Sequence, residues 1–133
     1  MLQEIQVAIR SDTDIVLARQ QGRTLAATIG FSSTDATLIA LAISELARNI
    51  VTYAHTGTVT LCGASNAHAK GILIIARDNG PGIRNVNDVL RDGYSTSGGL
   101  GLGLPGVKRL MDDFGIESEY GHGTVVTVRK WLR

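Results

Sequence analysis

The stretch Ile72-Leu73-Ile74-Ile75-Ala76-Arg77-Asp78-Asn79-Gly80-Pro81-Gly82 decides how the chain is read. Its first half is an apolar run of strand length, and it ends on a carboxylate followed at once by turn-forming residues. A plain turn accounts for that chemistry, since Asp-Asn-Gly-Pro is turn sequence in its own right. A second reading competes with it. A carboxylate at a buried strand end can accept hydrogen bonds from an exocyclic amine such as that of adenine, and Gly80 and Gly82 let the backbone approach a ring closely. On this stretch alone both readings stand, so the flanking sequence has to choose between them.

Upstream, residues 58–64 form a second β-rich run, and the loop Ser65-Asn66-Ala67-His68-Ala69-Lys70 joins the two runs as an antiparallel hairpin. Before it, residues 33–54 read as a helix. Ser32 opens this helix, with Asp35 three residues on in an approximate capping box. At about 100° per residue, Ile39, Ile43, Leu46 and Ile50 form its core stripe, while Thr37, Ser44, Arg48 and His55 form the wet face. Glu45 and Asn49 fall between, on the flank of Leu38 and Ala42. This carboxylate and amide therefore point the same way, one turn apart, at a boundary between core and solvent where a pocket wall would stand. A polar pair at this spacing is by itself commonly surface decoration; the shared flank is what sets it apart. Nearer the N-terminus, residues 3–10 alternate as a strand, Ser11 and Asp12 cap a helix over 13–29, and Gly30 closes it.

Downstream, the pattern weakens over residues 83–103, which read as a mobile lid with one short helical stretch near Val86–Leu90. Gly101-Leu102-Gly103-Leu104-Pro105-Gly106 spells G-x-G-x-x-G, but it follows a loop where a dinucleotide fold needs a strand. Val107 stands where a Walker loop needs lysine, and the leucines at 100, 102 and 104 argue against a plain linker. What survives is a glycine loop running into a helix N-terminus, where free N–H groups favour phosphate. Pro105 fits the first turn of a helix reaching about Phe114. Ile116–Tyr120 and Thr124–Trp131 form a last hairpin, and Gly121-His122-Gly123-Thr124 is, taken alone, most simply its turn. The order β-α-α-β-β-lid-α-β-β predicts an α+β, two-layer sandwich with a mostly antiparallel sheet.

Composition narrows the classes. The 133 residues suit one domain, 1–133, with an ordinary globular balance of 44% hydrophobic and 19% charged residues. Net charge is +1 with scattered basic residues, which argues against nucleic-acid binding. A single cysteine, Cys62, allows no disulfide or cysteine metal site within the chain and reads as a small buried hydrophobe. His55, His68 and His122 are too scattered for a metal cage. The N-terminal residues lack the blocks of a signal peptide, and no apolar run approaches the roughly 18 residues of a membrane span. A soluble, cytoplasmic chain with no membrane contact is expected.

Taken together, Glu45-x-x-x-Asn49, Asp78-x-Gly80-x-Gly82, the Gly99–Gly103 loop and Gly121-x-Gly123-Thr124 resemble, in order and spacing, the four sequence boxes of the GHKL ATPase superfamily. Ser44–Ile50, Asp92–Gly101, Leu104–Asp112 and the ending Lys130-Trp131-Leu132-Arg133 further resemble the stand-alone anti-sigma-factor-type serine kinases, and among them the switch kinases of the bacterial stressosome. That resemblance covers almost the whole chain. It implies a Bergerat-type sandwich with a mixed, mostly antiparallel sheet and helices on one face, and the use of ATP and Mg²⁺. By the same resemblance Asn49 holds Mg²⁺, Asp78 reads adenine with Thr124 in support through water, and Gly80 and Gly82 shape the pocket floor. Gly99, Leu100, Gly101, Leu102 and Gly103 belong to the lid and phosphate loop, and Glu45 is the general base.

The implied activity is phosphorylation of serine or threonine in STAS-domain antagonist proteins of a stressosome. The released chain would then bind and activate a regulator serine phosphatase. Two alternatives belong to other classes: a nucleotide-loaded module acting mainly by partner docking, and an anti-sigma factor binding a sigma subunit directly. The presence of both Glu45 and Asn49 favours the kinase, because binding alone does not require a base. Oligomeric state is left open.

Overall fold

A computed structural model describes residues 4–83 and 103–133. In chain order they form β1 (Glu4–Ile9), α1 (Asp12–Ile29), α2 (Ser33–Asn49), a π-helical turn (Ile50–Ala54), β2 (Gly57–Ser65), β3 (Lys70–Asp78), α3 (Gly103–Leu110), β4 (Asp113–Glu119) and β5 (Gly123–Trp131). The strands make one five-stranded sheet in the order β1-β2-β3-β5-β4. Every described pairing is antiparallel, so the expected two-layer α+β sandwich is present but the sheet is not mixed. The first connection shows why. From β1 the chain runs back along α1 and forward again along α2, so β2 re-enters the sheet against β1.

Strand alternation sends one set of side chains toward the helices. Val7, Ile9, Val59, Leu61, Ile72, Ile74, Ala76, Val126 and Val128 are all buried on that face. They meet Ile15, Ala18 and Leu25 of α1 and the predicted stripe of α2, Ile39, Ile43, Leu46 and Ile50. Each such aliphatic side chain contributes roughly 1.5–3 kcal/mol when fully buried. The helix ends follow their local signals. Ser32 Oγ accepts the Asp35 N–H at 3.1 Å, and the Gly30 N–H returns to the Ala26 carbonyl at 3.1 Å. The Asp14 carboxylate accepts the Arg10 N–H at 2.9 Å ahead of α1.

Four expectations need correction. The helix predicted over 33–54 is α-helical only to Asn49 and continues as a π-helical turn. Ile50, Val51 and Thr52 are β-branched and crowd an α-helical turn; the wider turn keeps Ile50 in the core. The helix expected to reach Phe114 stops at Leu110, because the Asp112 N–H bonds the Arg129 carbonyl at 2.9 Å and commits the chain to β4. Ser44, expected on the wet face, is buried, its hydroxyl donating to the Ala40 carbonyl at 3.0 Å. Cys62 is not a core residue. It lies half-buried on the sheet face away from the helices, where burial and the Glu4 carboxylate opposite it on β1 push the thiol pKa up. No helix among the described residues is long and apolar enough to cross a membrane.

Candidate active site

Two turns stack at one end of the sheet. Asp78, the last residue of β3, pairs directly with Thr124 on β5. The Asp78 carboxylate accepts the Gly80 N–H at 2.9 Å, which curls the chain into the Gly-Pro-Gly turn. Gly82 has φ +75° and faces the Glu119 carbonyl, and Gly123 has φ +121° and faces the Asp78 carbonyl. A Cβ at either position would collide with backbone, and both conformations favour glycine. The Gly121 N–H donates to the Pro81 carbonyl at 2.6 Å. Gly121 and His122 are thus in the hairpin turn expected there, while Gly123 and Thr124 already open β5, and together they wall the Asp78 turn.

Ser118 ties this corner together and carries no motif. Its hydroxyl accepts the Ile83 N–H at 2.7 Å, donates to the Gly123 carbonyl at 3.0 Å and lies 2.9 Å from the Thr124 hydroxyl. The only sequence signal is a polar residue at an inward position of an otherwise apolar β4 face, opposite Thr124 in register.

The second wall is α2. Glu45 is only 2% exposed, which corrects its expected place at the boundary with solvent. One carboxylate oxygen accepts Arg48 Nη1 at 2.7 Å, and the other accepts the Gly103 N–H at 3.2 Å. The cover comes from α3, whose Leu104 and Val107 are buried in the shared core. Its first N–H groups have no intrahelical partner, and one of them serves the carboxylate. Arg48, read from periodicity as part of a solvated face, therefore bends back over the site with its side chain 41% exposed. Asn49 is half-buried at the end of α2.

The two walls meet. A Cβ on Gly80 would lie 2.5 Å from Ala54 Cβ, so the Asp78–Gly82 turn rests on the end of the π-helical turn that prolongs α2. A Cβ on Gly57 would sit 2.8 Å from Ile50 Cγ2 and 3.2 Å from Asp78 Cβ, which puts the Asp78 side chain on the helix side of the sheet. Glu45, Asn49, Asp78, Gly80, Gly82 and Thr124 thus belong to one face and one end of the sandwich. Gly103 opens α3 with φ +65°. Gly99, Leu100, Gly101 and Leu102, with the expected lid from 84 onward, lie outside the described residues.

This layout is that of a nucleotide-binding domain, and comparison with known proteins gives it a family. The Histidine kinase-like ATPase domain family matches residues 10–130. The chain belongs to that family. It is 52% identical over 127 residues to the Serine/threonine-protein kinase RsbT of Bacillus subtilis (strain 168), covering 96% of both chains. It is 28% identical over 98 residues to an Anti-sigma F factor of Clostridium acetobutylicum, covering 69% of this chain and 67% of that one. Among solved structures it superposes, with a TM-score of 0.62 and 21% identity, on the RsbU and RsbW domains of a Mycobacterium tuberculosis protein, spanning 100% of this chain and 32% of that one. The last likeness speaks for the fold alone. The kinase reading of the sequence agrees with what the RsbT relative is.

Proposed function

We propose that this chain is an ATP-dependent protein serine/threonine kinase that phosphorylates STAS-domain antagonist proteins and, when released, docks on and activates a regulator serine phosphatase in the cytoplasm. The 52% identity to a serine/threonine-protein kinase along 96% of the chain supports the activity. The observation that carries the site is the placement of Asp78 beside Thr124, on the turn that leans against the end of the Glu45–Asn49 helix.

The residues fit a purine nucleotide. The Asp78 carboxylate, at a strand end, accepts from the exocyclic amine of adenine, and Gly80 and Gly82 keep side chains out of the floor. The start of α3 offers backbone N–H groups to phosphate. Asn49 presents a hard amide oxygen. That oxygen would hold magnesium, which would supply neutralisation of the phosphate charge there.

Phosphoryl transfer asks mainly for in-line positioning and charge neutralisation. The acceptor hydroxyl gives its proton to Glu45 as its oxygen bonds to the γ-phosphorus and the bond to the leaving ADP oxygen breaks. Both Glu45 oxygens already hold partners, Arg48 and the Gly103 N–H. A carboxylate has about four lone-pair sites, so it accepts the hydroxyl without surrendering either. Glu45 would activate water equally well. Selectivity for a protein acceptor therefore comes from docking that excludes water.

The direct test is incubation with Mg-ATP and a STAS-domain antagonist, followed by mass spectrometry. A single added phosphate on serine or threonine is expected. An unmodified antagonist in the presence of nucleotide-saturated chain overturns the reading. The similarity to an anti-sigma F factor favours one second reading, direct binding of a sigma subunit, which a pull-down with purified sigma subunit distinguishes.

A further inference from the structure

We propose a second anion site, separate from the nucleotide pocket, that takes a phosphate-class oxyanion on the open face of the sheet between Arg10 and Arg77. Its placement follows from register. Ala8, Thr58 and Arg77 lie side by side across β1, β2 and β3. Their strand neighbours Ile9, Val59 and Ala76 are buried against the helices, so these three point the other way. Arg10, Thr56 and Asn79 continue the same alternation just past the paired rows. The result is a cleft of about 310 Å³ at the end of the sheet, bordered by Ala54, Gly57 and Asp78 and lined on its polar side by Arg10, Thr56, Thr58, Arg77 and Asn79. That volume is at the lower end of ligand pockets, roughly 300–1,000 Å³.

The lining chemistry is one-sided. Two arginines, two threonines and an asparagine line the cleft, and neither arginine makes an ion pair among the described residues. Asp78 also borders the cleft, but its side chain leaves toward Ile50 and its carboxylate is engaged by the Gly80 N–H. The chain carries a net charge of only +1, so two arginines in one hollow, without an ion pair among the described residues, are not a by-product of a generally basic surface. Planar forks with hydroxyl donors beside them suit a tetrahedral dianion, which accepts several charge-assisted bonds at once.

The test is a titration of the ¹⁵N-labelled full chain with inorganic phosphate at constant ionic strength, with and without saturating Mg-ADP. Saturable shifts are expected at the amides of Thr56, Thr58, Arg77 and Asn79, and they persist with Mg-ADP present. Arg10→Gln and Arg77→Gln should each weaken phosphate binding by about two- to fivefold, the range for exposed charge pairs, while nucleotide binding is unchanged. The single variants read the site independently, so misfolding of one leaves the other decisive. Linear shifts without saturation, shifts unaltered in both variants, or shifts abolished by Mg-ADP overturn the proposal. A phosphoserine peptide that binds the same residues more tightly than phosphate assigns the ligand to a phosphorylated partner side chain; equal affinity assigns it to the free anion.

Discussion

Glu45 holds a carboxylate where almost no water reaches it, and its two bonds decide what substitutions there do. Glu45→Gln keeps the shape but retains only one acceptor oxygen, so either Arg48 or the Gly103 N–H loses its partner, and the proposed base is removed. Nucleotide binding should survive, and phosphoryl transfer to the antagonist should fall by roughly 10²–10⁴-fold, read with labelled ATP. Turnover equal to wild type would remove Glu45 from the base role. Arg48→Gln strips the carboxylate of its ionic partner. Because Arg48 is 41% exposed, solvent screens the pair, and the stability loss should be about 1 kcal/mol by denaturant unfolding. Its signature is kinetic: kcat drops with KM for ATP unchanged, and Arg48→Lys restores part of it. A matching rise in KM would mean that Arg48 binds nucleotide instead. At Asp78, an asparagine can still accept the Gly80 N–H, so the turn should fold. Mg-ATP at about 100 times Kd stabilises the wild type by ~2.7 kcal/mol. Asp78→Asn at the same nucleotide concentration should show a much smaller thermal shift, and an equal shift would rule out adenine reading by this residue.

At the scale of elements, the site is a junction of turns more than a property of any strand. Ser118 on β4 holds Ile83, Gly123 and Thr124 through one hydroxyl. Ser118→Ala leaves the half-buried Ile83 N–H without that acceptor. The expected cost is about 1–3 kcal/mol, with a reduced Mg-ATP thermal shift because the Gly82 and Gly123 turns lose their tie. Unfolding at wild-type denaturant concentration would show that the backbone bonds alone hold the corner. The elements themselves were largely legible. Period-two runs marked the hairpin of β2 and β3, and Ser32 and Gly30 marked helix ends, because alternation and capping are local. The end of α3 was not. Residues 111–114 suit a helix until β5 offers the Arg129 carbonyl to Asp112, a partner outside any local window.

On the scale of the whole molecule, the helices cover one face of the sheet and, among the described residues, leave the other without a covering layer, so catalysis and partner docking have separate surfaces available. If they use them separately, Glu45→Gln should still activate a regulator phosphatase to wild-type extent while failing to phosphorylate the antagonist. Loss of that activation in a folded variant would tie docking to the catalytic pocket.

The order of elements, the caps, the turn chemistry and the Glu45–Asn49, Asp78–Gly82 and Gly121–Thr124 groupings were determined by the chain alone, since backbone preference and side-chain period act over a few residues. The burial of Glu45 and Ser44, the partnership of Arg48, the tie through Ser118 and the place of Cys62 outside the core were decided only in three dimensions. Each depends on which surface α3, β4 or the helix layer comes to cover, and periodicity says which way a side chain points without saying what will lie over it.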